Sequence, residues 1–274
     1  MNIGVCIDHA AQKMREKFET AASMGFHHCQ LVSWSPSLWT SDEAEKIRGY
    51  CQAHSMEITA FWCGWEGPSI WDFYSGPETL GLVPPAFRFA RMKNLCAGAD
   101  FAKRLGVDDI VSHMGFIPET PVDPGYAGVV EALRAVAKHC LQNGQNLLFE
   151  TGQETPVTLL RLFEDIGTGN LFVNLDPANL IIYGKANPVD SLEVFGSLVR
   201  GVHAKDGRYP TDGRNLGQET KVGEGKVDFP ALIKMLKSLG YDGSLTIERE
   251  ISGEKQLADI RETKVYLEGV LARL

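Results

Sequence analysis

Four residues of metal-binding type, Glu150, Asp176, His203 and Glu248, stand at the ends of four short apolar runs, NLLFE, LFVNLD, VRGVH and SLTIE. A carboxylate after one such run is ordinarily the cap of the following helix. Ligand-type residues in the same place on four successive runs require a further reason. Three carboxylates and one imidazole form a hard, oxygen-rich set. Such a set suits one divalent ion of the Mn2+, Mg2+ or Co2+ kind better than a structural zinc, which favours thiolate and imidazole in a closed tetrahedron. Four protein ligands in an octahedral shell leave about two positions for water or substrate. A hydroxy-ketone can bind there through neighbouring oxygens, and polarisation of its carbonyl makes the adjacent C–H more acidic. Removing that proton needs a base on one face, and epimerisation needs an acid on the other. Glu150 and Glu248 are the candidates for these catalytic roles, because paired carboxylates with divided tasks are the simplest such arrangement.

These residues need elements to hold them. Each run is rich in Leu, Val, Ile or Phe and is separated from the next by a stretch of helical periodicity, the pattern of buried parallel strands alternating with helices. Strands are predicted at 2–7, 28–33, 57–63, 109–113, 146–150, 171–176, 200–203 and 244–248. Glycines in MGF at 24–26, RLGVDD at 104–109, NGQN at 143–146 and SLGYDG at 238–243 mark helix ends. Strict alternation of this kind argues for an α/β protein with a parallel sheet. Only a closed barrel brings four such strand ends around one axis. The expectation is therefore a single (β/α)8 TIM barrel domain over residues 1–274, with its active site at the C-terminal ends of the strands. Glu150 and Glu248 would then lie on strands three apart in the ring, on roughly opposite sides of the ion.

Two connections exceed what a helix needs, one from Gly64 to Pro85 and one from Gly207 to Val227, and loops of that length at a catalytic face are usually lids or binding elements. The first holds Trp65, Trp71, Phe73 and Tyr74. The second ends in KVGEGK, which lacks the spacing and the Lys-Ser/Thr ending of a phosphate-binding loop, so packing on the barrel rim is expected of it.

The chain has 274 residues, 44% of them hydrophobic, which is ample for one core. Its net charge of −8 opposes binding to nucleic acid or an anionic membrane, since both require a basic face. A small neutral or weakly charged partner fits better. No run of about 18 apolar residues and no basic, apolar leader occurs, so the expected location is the cytoplasm. The six cysteines form no CxxC pair and are expected to be reduced.

The motifs FETGQE at 149–154, NLDPANL at 174–180, VHAKDG at 202–207, VGEGKVDFP at 222–230 and TIERE at 246–250 give the chain a resemblance, along essentially its whole length, to the xylose-isomerase-like sugar isomerase and epimerase superfamily. Within it the chain is most similar to the ketose 3-epimerase branch. The resemblance implies the barrel already inferred, a sugar substrate, and a homo-oligomer, dimer or tetramer. It matches Glu150, Asp176, His203 and Glu248 to the metal ligands, with Mn2+ first and Co2+, Mg2+ or Zn2+ as alternatives. It also matches Glu150 and Glu248 to the two proton-transfer carboxylates. Ketose 3-epimerases commonly carry a His three residues after the Asp ligand and an Arg some six beyond the His ligand; here Asn179 holds the first place, and Lys205 and Arg208 are the basic residues near the second. Further substrate-binding candidates are His113 after the fourth strand, Glu154 after the TGQ turn, and Trp62 and Trp65 as a wall for the C–H face of a sugar ring.

Three rival functions carry different signatures. A lyase or hydrolase acting on an oxidised (3-keto) glycoside would use the same metal and the same acidic C–H, and differ only in expelling a substituent. A non-catalytic sugar-binding protein would need neither ion nor paired carboxylates. The apurinic endonucleases of the same superfamily use three zinc ions and need several more histidines at strand ends, where this chain offers only His113.

Overall fold

The computed structural model describes residues 1–274. Its strands are β1 (Asn2–Asp8), β2 (His28–Ser33), β3 (Glu57–Cys63), β4 (Asp109–Ser112), β5 (Asn146–Glu150), β6 (Leu171–Leu175), β7 (Val199–Ala204), β8 (Asp206–Arg208), β9 (Gln218–Thr220) and β10 (Ser244–Ile247). Eight of them close into a parallel barrel in the order β1-β10-β7-β6-β5-β4-β3-β2, while β8 and β9 form a separate antiparallel hairpin. The barrel is of the TIM type, surrounded by helices.

Strands of a closed parallel barrel are buried on both faces, and β4 (DIVS) and β10 (SLTI) are buried at every position, polar residues included. All four glycine stops read from the sequence, Gly25, Gly106, Gly144 and Gly240, take the left-handed backbone that lets a helix end without a steric penalty. The main core lies between the outer faces of the strands and the helices, with Phe18, Phe26, Phe61, Phe101, Phe149, Phe195 and Phe229 fully buried. Inside the ring, Ala60, Trp62, Val111 and Leu148 form a small apolar cluster. Side chains alternate along a strand, so Glu150 points inward on β5 with Leu148, as His203 does on β7 with Gly201. At Gly201 a Cβ would lie 2.2 Å from Asn174 Oδ1, so only glycine leaves room for the polar layer beneath the mouth.

The structure shifts some boundaries. His113, Asp176 and Glu248 each lie one residue past their strand and open the following loop. The sixth connection is two short helices, Pro177–Ile182 and Pro188–Phe195, rather than one. Gly184, at φ +66°, breaks the run, and Asn187 caps the second helix by accepting from Val189 N and Asp190 N at 2.8 and 3.3 Å. The long connection after β3 contains a short helix, Gly76–Thr79. The last helix, Glu254–Leu271, packs on β1 and β10. All six cysteines are free, and no helix is long and apolar enough to cross a membrane.

Candidate metal centre and active site

Glu150, Asp176, His203 and Glu248 converge at the barrel mouth, each offering one ligand atom, all of these within 4.8 Å of one another. The neighbours of His203 fix its orientation. Gln30 donates its amide N–H to Asn174 Oδ1 at 3.0 Å, which leaves Gln30 Oε1 to accept from His203 Nε2 at 2.8 Å. In a neutral imidazole the lone pair is then on Nδ1. That atom faces Glu150 Oε1 at 3.2 Å, Glu248 Oε2 at 3.3 Å and Asp176 Oδ2 at 3.7 Å.

Asp176 serves two ends. Its Oδ1 accepts from Asn179 N at 2.9 Å and caps the helix Pro177–Ile182, while Oδ2 turns toward the cluster. Thr151 ties the ends of β5 and β6 together, accepting from Asp176 N and donating to Asp176 O, both at 2.9 Å. His203 Nδ1, Asp176 Oδ2 and Glu248 Oε2 are buried and make no well-aligned hydrogen bond, the two oxygens having only the Lys205 ammonium as a donor near them. Acceptor atoms turned toward one point repel one another, Lys205 reaches only the Asp176 and Glu248 side of them, and a cation among all four would satisfy the set. The donor set therefore fits a hard divalent cation.

The electrostatics follow from this crowding. Burial raises the Glu150 carboxyl, but His113 and His203 beside it more than offset that and hold it well below the usual carboxylate range. The same opposition leaves Glu248 at about 2, with Lys205 and His203 outweighing burial. Burial lowers His203 and Lys205, yet Glu150 and Glu248 hold the imidazole well above its ordinary value, and Glu248 and Glu250 do the same for the ammonium. Glu150 also accepts from Trp62 Nε1, and from Asn179 Nδ2 at 3.2 Å, while His113 Nε2 stands 3.3 Å from its Oε1. Asn179 uses both ends of its amide, because its Oδ1 accepts from Lys205 Nζ at 3.4 Å. Lys205 Nζ further pairs with Glu250 Oε1 at 2.9 Å, Glu248 Oε2 at 3.1 Å and Asp176 Oδ2 at 3.5 Å.

Above the cluster opens a cavity of about 450 Å3. One wall is aromatic, with Trp34, Trp62 and Trp71; the other carries Asp8, Glu219, Glu248 and Glu250. Trp34 packs 4.8 Å from Trp62 and 5.2 Å from Trp65 between ring centroids.

The structure brings most of the predicted site residues together and leaves others aside. His113, Glu150, Asn179, Trp62 and Glu248 line the cavity, with Asp176, His203 and Lys205 at its floor. Trp65 is buried behind the aromatic wall rather than part of it. Arg208 is exposed on the hairpin and does not reach the lining, because β8 turns the chain away from the mouth directly after Lys205. Glu154 is buried, outside the lining. Sequence reading missed Gln30, Asp8, Glu219, Glu250 and Trp71 as parts of this site. A glutamine inside the apolar strand HCQLVS, and an aspartate at the end of β1, were the available signals.

The glycine-rich stretch after β9 is a nest of backbone N–H groups around the protein's own carboxylate. Buried Asp206 accepts from Gly207, Gly223, Gly225 and Val227 N at 2.8 to 3.0 Å. At Gly225 a Cβ would lie 2.0 Å from Asp206 Oδ1, which explains the glycine. The cradle packs on the rim, as expected, and anchors the residue next to Lys205.

Burial raises Glu154 to about 7, only partly opposed by His113. Because the folded value exceeds the ordinary 4.5, the folded state retains the proton across that window, and this group's contribution to stability falls as pH rises through it. Glu154→Gln is expected to melt with the wild type near pH 4 and several degrees above it at about pH 8. Melting curves across that range test this, and a pH-independent difference would contradict it.

The model of the xylose isomerase-like TIM barrel family matches residues 18–269. The chain belongs to this family. A xylose isomerase domain protein from Planctomyces limnophilus is 33% identical, with a TM-score of 0.91 over 98% of this chain and 96% of that one. A D-psicose 3-epimerase crystallised in the presence of D-fructose superposes with a TM-score of 0.71 over 99% of both chains at 19% identity, a likeness of fold alone. The inosose dehydratase of Geobacillus kaustophilus is 27% identical over 144 residues, 47% of this chain and 46% of its own length. The chain spans about half the length of the curated relatives it matches.

Proposed function

We propose that this protein is a divalent-metal-dependent sugar isomerase or epimerase that works by proton abstraction next to a carbonyl. The convergence of Glu150, Asp176, His203 and Glu248, with buried acceptor atoms turned to one point, carries the reading. These four would hold the ion, Mn2+ first and Co2+, Mg2+ or Zn2+ as alternatives, which when bound supplies the positive charge that acidifies a C–H beside a carbonyl.

The chain's own groups do the rest. Glu150 comes from β5 and Glu248 from the end of β10, three strands away in the ring, so the two carboxylates flank whatever enters the mouth. Glu150, held ionised, takes a proton on one face; Glu248, beside Lys205, exchanges one on the other. His113, Trp62 and Asn179 restrict Glu150 to one orientation, which is what a proton transfer over hydrogen-bond distance demands. The tryptophan wall suits the C–H face of a sugar, and the carboxylates opposite accept from its hydroxyls.

A second reading, elimination from the same carbanion, is favoured by the likeness to inosose dehydratase. The two diverge in product. Metal-loaded protein incubated with D-fructose, D-tagatose and an inosose, with chromatography of the mixtures, is expected to interconvert a ketose with its epimer. An unsaturated product formed with loss of water would favour elimination instead. No change in any of the three sugars would count against both.

A further inference from the structure

The mouth is larger than one sugar. A hexose occupies on the order of 180 Å3, since each of its dozen or so heavy atoms takes roughly half of the about 30 Å3 that a water fills in the liquid. The main cavity measures about 450 Å3. A second cavity of about 360 Å3 opens beside it, and the two share Asp8, Val32, Glu248 and Glu250 as common wall. It extends from Glu248 toward the loop after β10, where Arg249, Ser252 and Gln256 supply polar lining and Cys6, Ile247, Ile251 and Ile260 the apolar remainder. The two spaces thus lie side by side, with Glu248 of the cluster in the lining of both.

The charges in these two spaces define what they can hold. Their cations are already engaged: Arg249 pairs with Glu219 at 2.8 Å and Asp259 at 2.9 Å, and Lys205 pairs with Glu250 and Glu248. Asp8, Glu219 and Glu250 stand along the walls with no free cation among the lining residues. A phosphate or carboxylate entering there would be repelled, and it would have to break an existing ion pair to find a partner. Hydroxyl groups suit such walls, because carboxylates, Ser252 and the Gln256 side-chain oxygen accept their hydrogens; one N–H of Gln256 Nε2 is given to Arg249 O at 2.8 Å. From this geometry, and resting on the sugar reading above, we infer that the substrate is an uncharged, two-ring glycoside. Its keto sugar lies against Trp62 and the carboxylate cluster, and its second, hydroxyl-rich ring occupies the cavity lined by Asp8, Ser252 and Gln256.

Calorimetry on the Mn2+-loaded full chain tests this with D-fructose and five glucosyl-fructoses: trehalulose, turanose, maltulose, leucrose and isomaltulose. These carry the glucosyl group on different hydroxyls, so the panel covers the direction in which a second ring can leave the first. At least one should bind about tenfold more tightly than D-fructose, and Ser252→Trp, which fills the second cavity from its exposed rim, should abolish that ratio. If no disaccharide binds more tightly than D-fructose, or if the ratio survives Ser252→Trp, the second-ring site is wrong. The same ligands recovered from deuterium oxide keep the two ideas separate. Exchange into D-fructose with no gain from the glucosyl group would remove the subsite and leave the proton-transfer reading. Tighter disaccharide binding with no exchange would do the reverse.

Discussion

Glu150→Gln and Glu248→Gln should each lower turnover by between about 10² and 10⁴-fold, the range that a positioned general acid or base contributes. Glutamine preserves shape but cannot take a proton. The two positions differ in surroundings, and the variants should differ accordingly. Glu150 is buried and receives Trp62 Nε1 and Asn179 Nδ2, with His113 and His203 close by. A glutamine there must turn its amide N–H toward one of these donors, so that variant should also lose some thermal stability. The Glu248 side chain is 17% exposed, and its variant should melt closer to the wild type. Both substitutions remove a negative charge from the proposed metal site, so metal content must be measured beside rate. A large loss at full metal occupancy reads proton transfer directly, whereas full activity in both variants would rule out the acid and base assignment.

Removal of the ion should abolish activity, and Mn2+ or Co2+ should restore it. The physical ground is the same set of buried acceptors. Without a divalent ion, the three carboxylates have only His113, His203 and Lys205 beside them as balancing groups. A ligand that binds only the folded state stabilises it by about 2.7 kcal/mol at a hundred times its dissociation constant. Chelated protein should therefore melt several degrees lower than loaded protein, and His203→Ala should lose this dependence along with the ion. Stoichiometric metal analysis checks the point. Protein that retains full activity after exhaustive chelation, with no metal bound, would overturn the centre.

The barrel and the cluster were legible in the sequence because their signals are local. Each strand announces itself by an apolar run, each helix end by a glycine, and Glu150, Asp176, His203 and Glu248 sit where run meets loop. What depends on distant parts of the chain was hidden. The orientation of His203 depends on Gln30, 173 residues away in sequence, and the amide of Gln30 depends in turn on Asn174. Strands β8 and β9 have three residues each, too short for periodicity to reveal, and that hairpin decides that Glu219 faces the cavity while Arg208 does not. Counting residues from His203 placed Arg208 near the substrate; the turn after Asp206 takes it to the surface. The glycines of KVGEGK became intelligible only once Asp206 was seen inside their loop.

The central claim is that a proton leaves carbon beside a carbonyl between Glu150 and Glu248, and solvent isotope exchange addresses it most directly. Metal-loaded protein is incubated with an accepted ketose in deuterium oxide, and both product and unreacted sugar are examined by mass spectrometry and proton NMR. Deuterium should appear at the carbon next to the carbonyl in product and in recovered substrate, with both Glu→Gln variants losing the exchange. Turnover of a confirmed substrate with no deuterium in either pool would contradict the account, and a hydride shift between carbons would take its place.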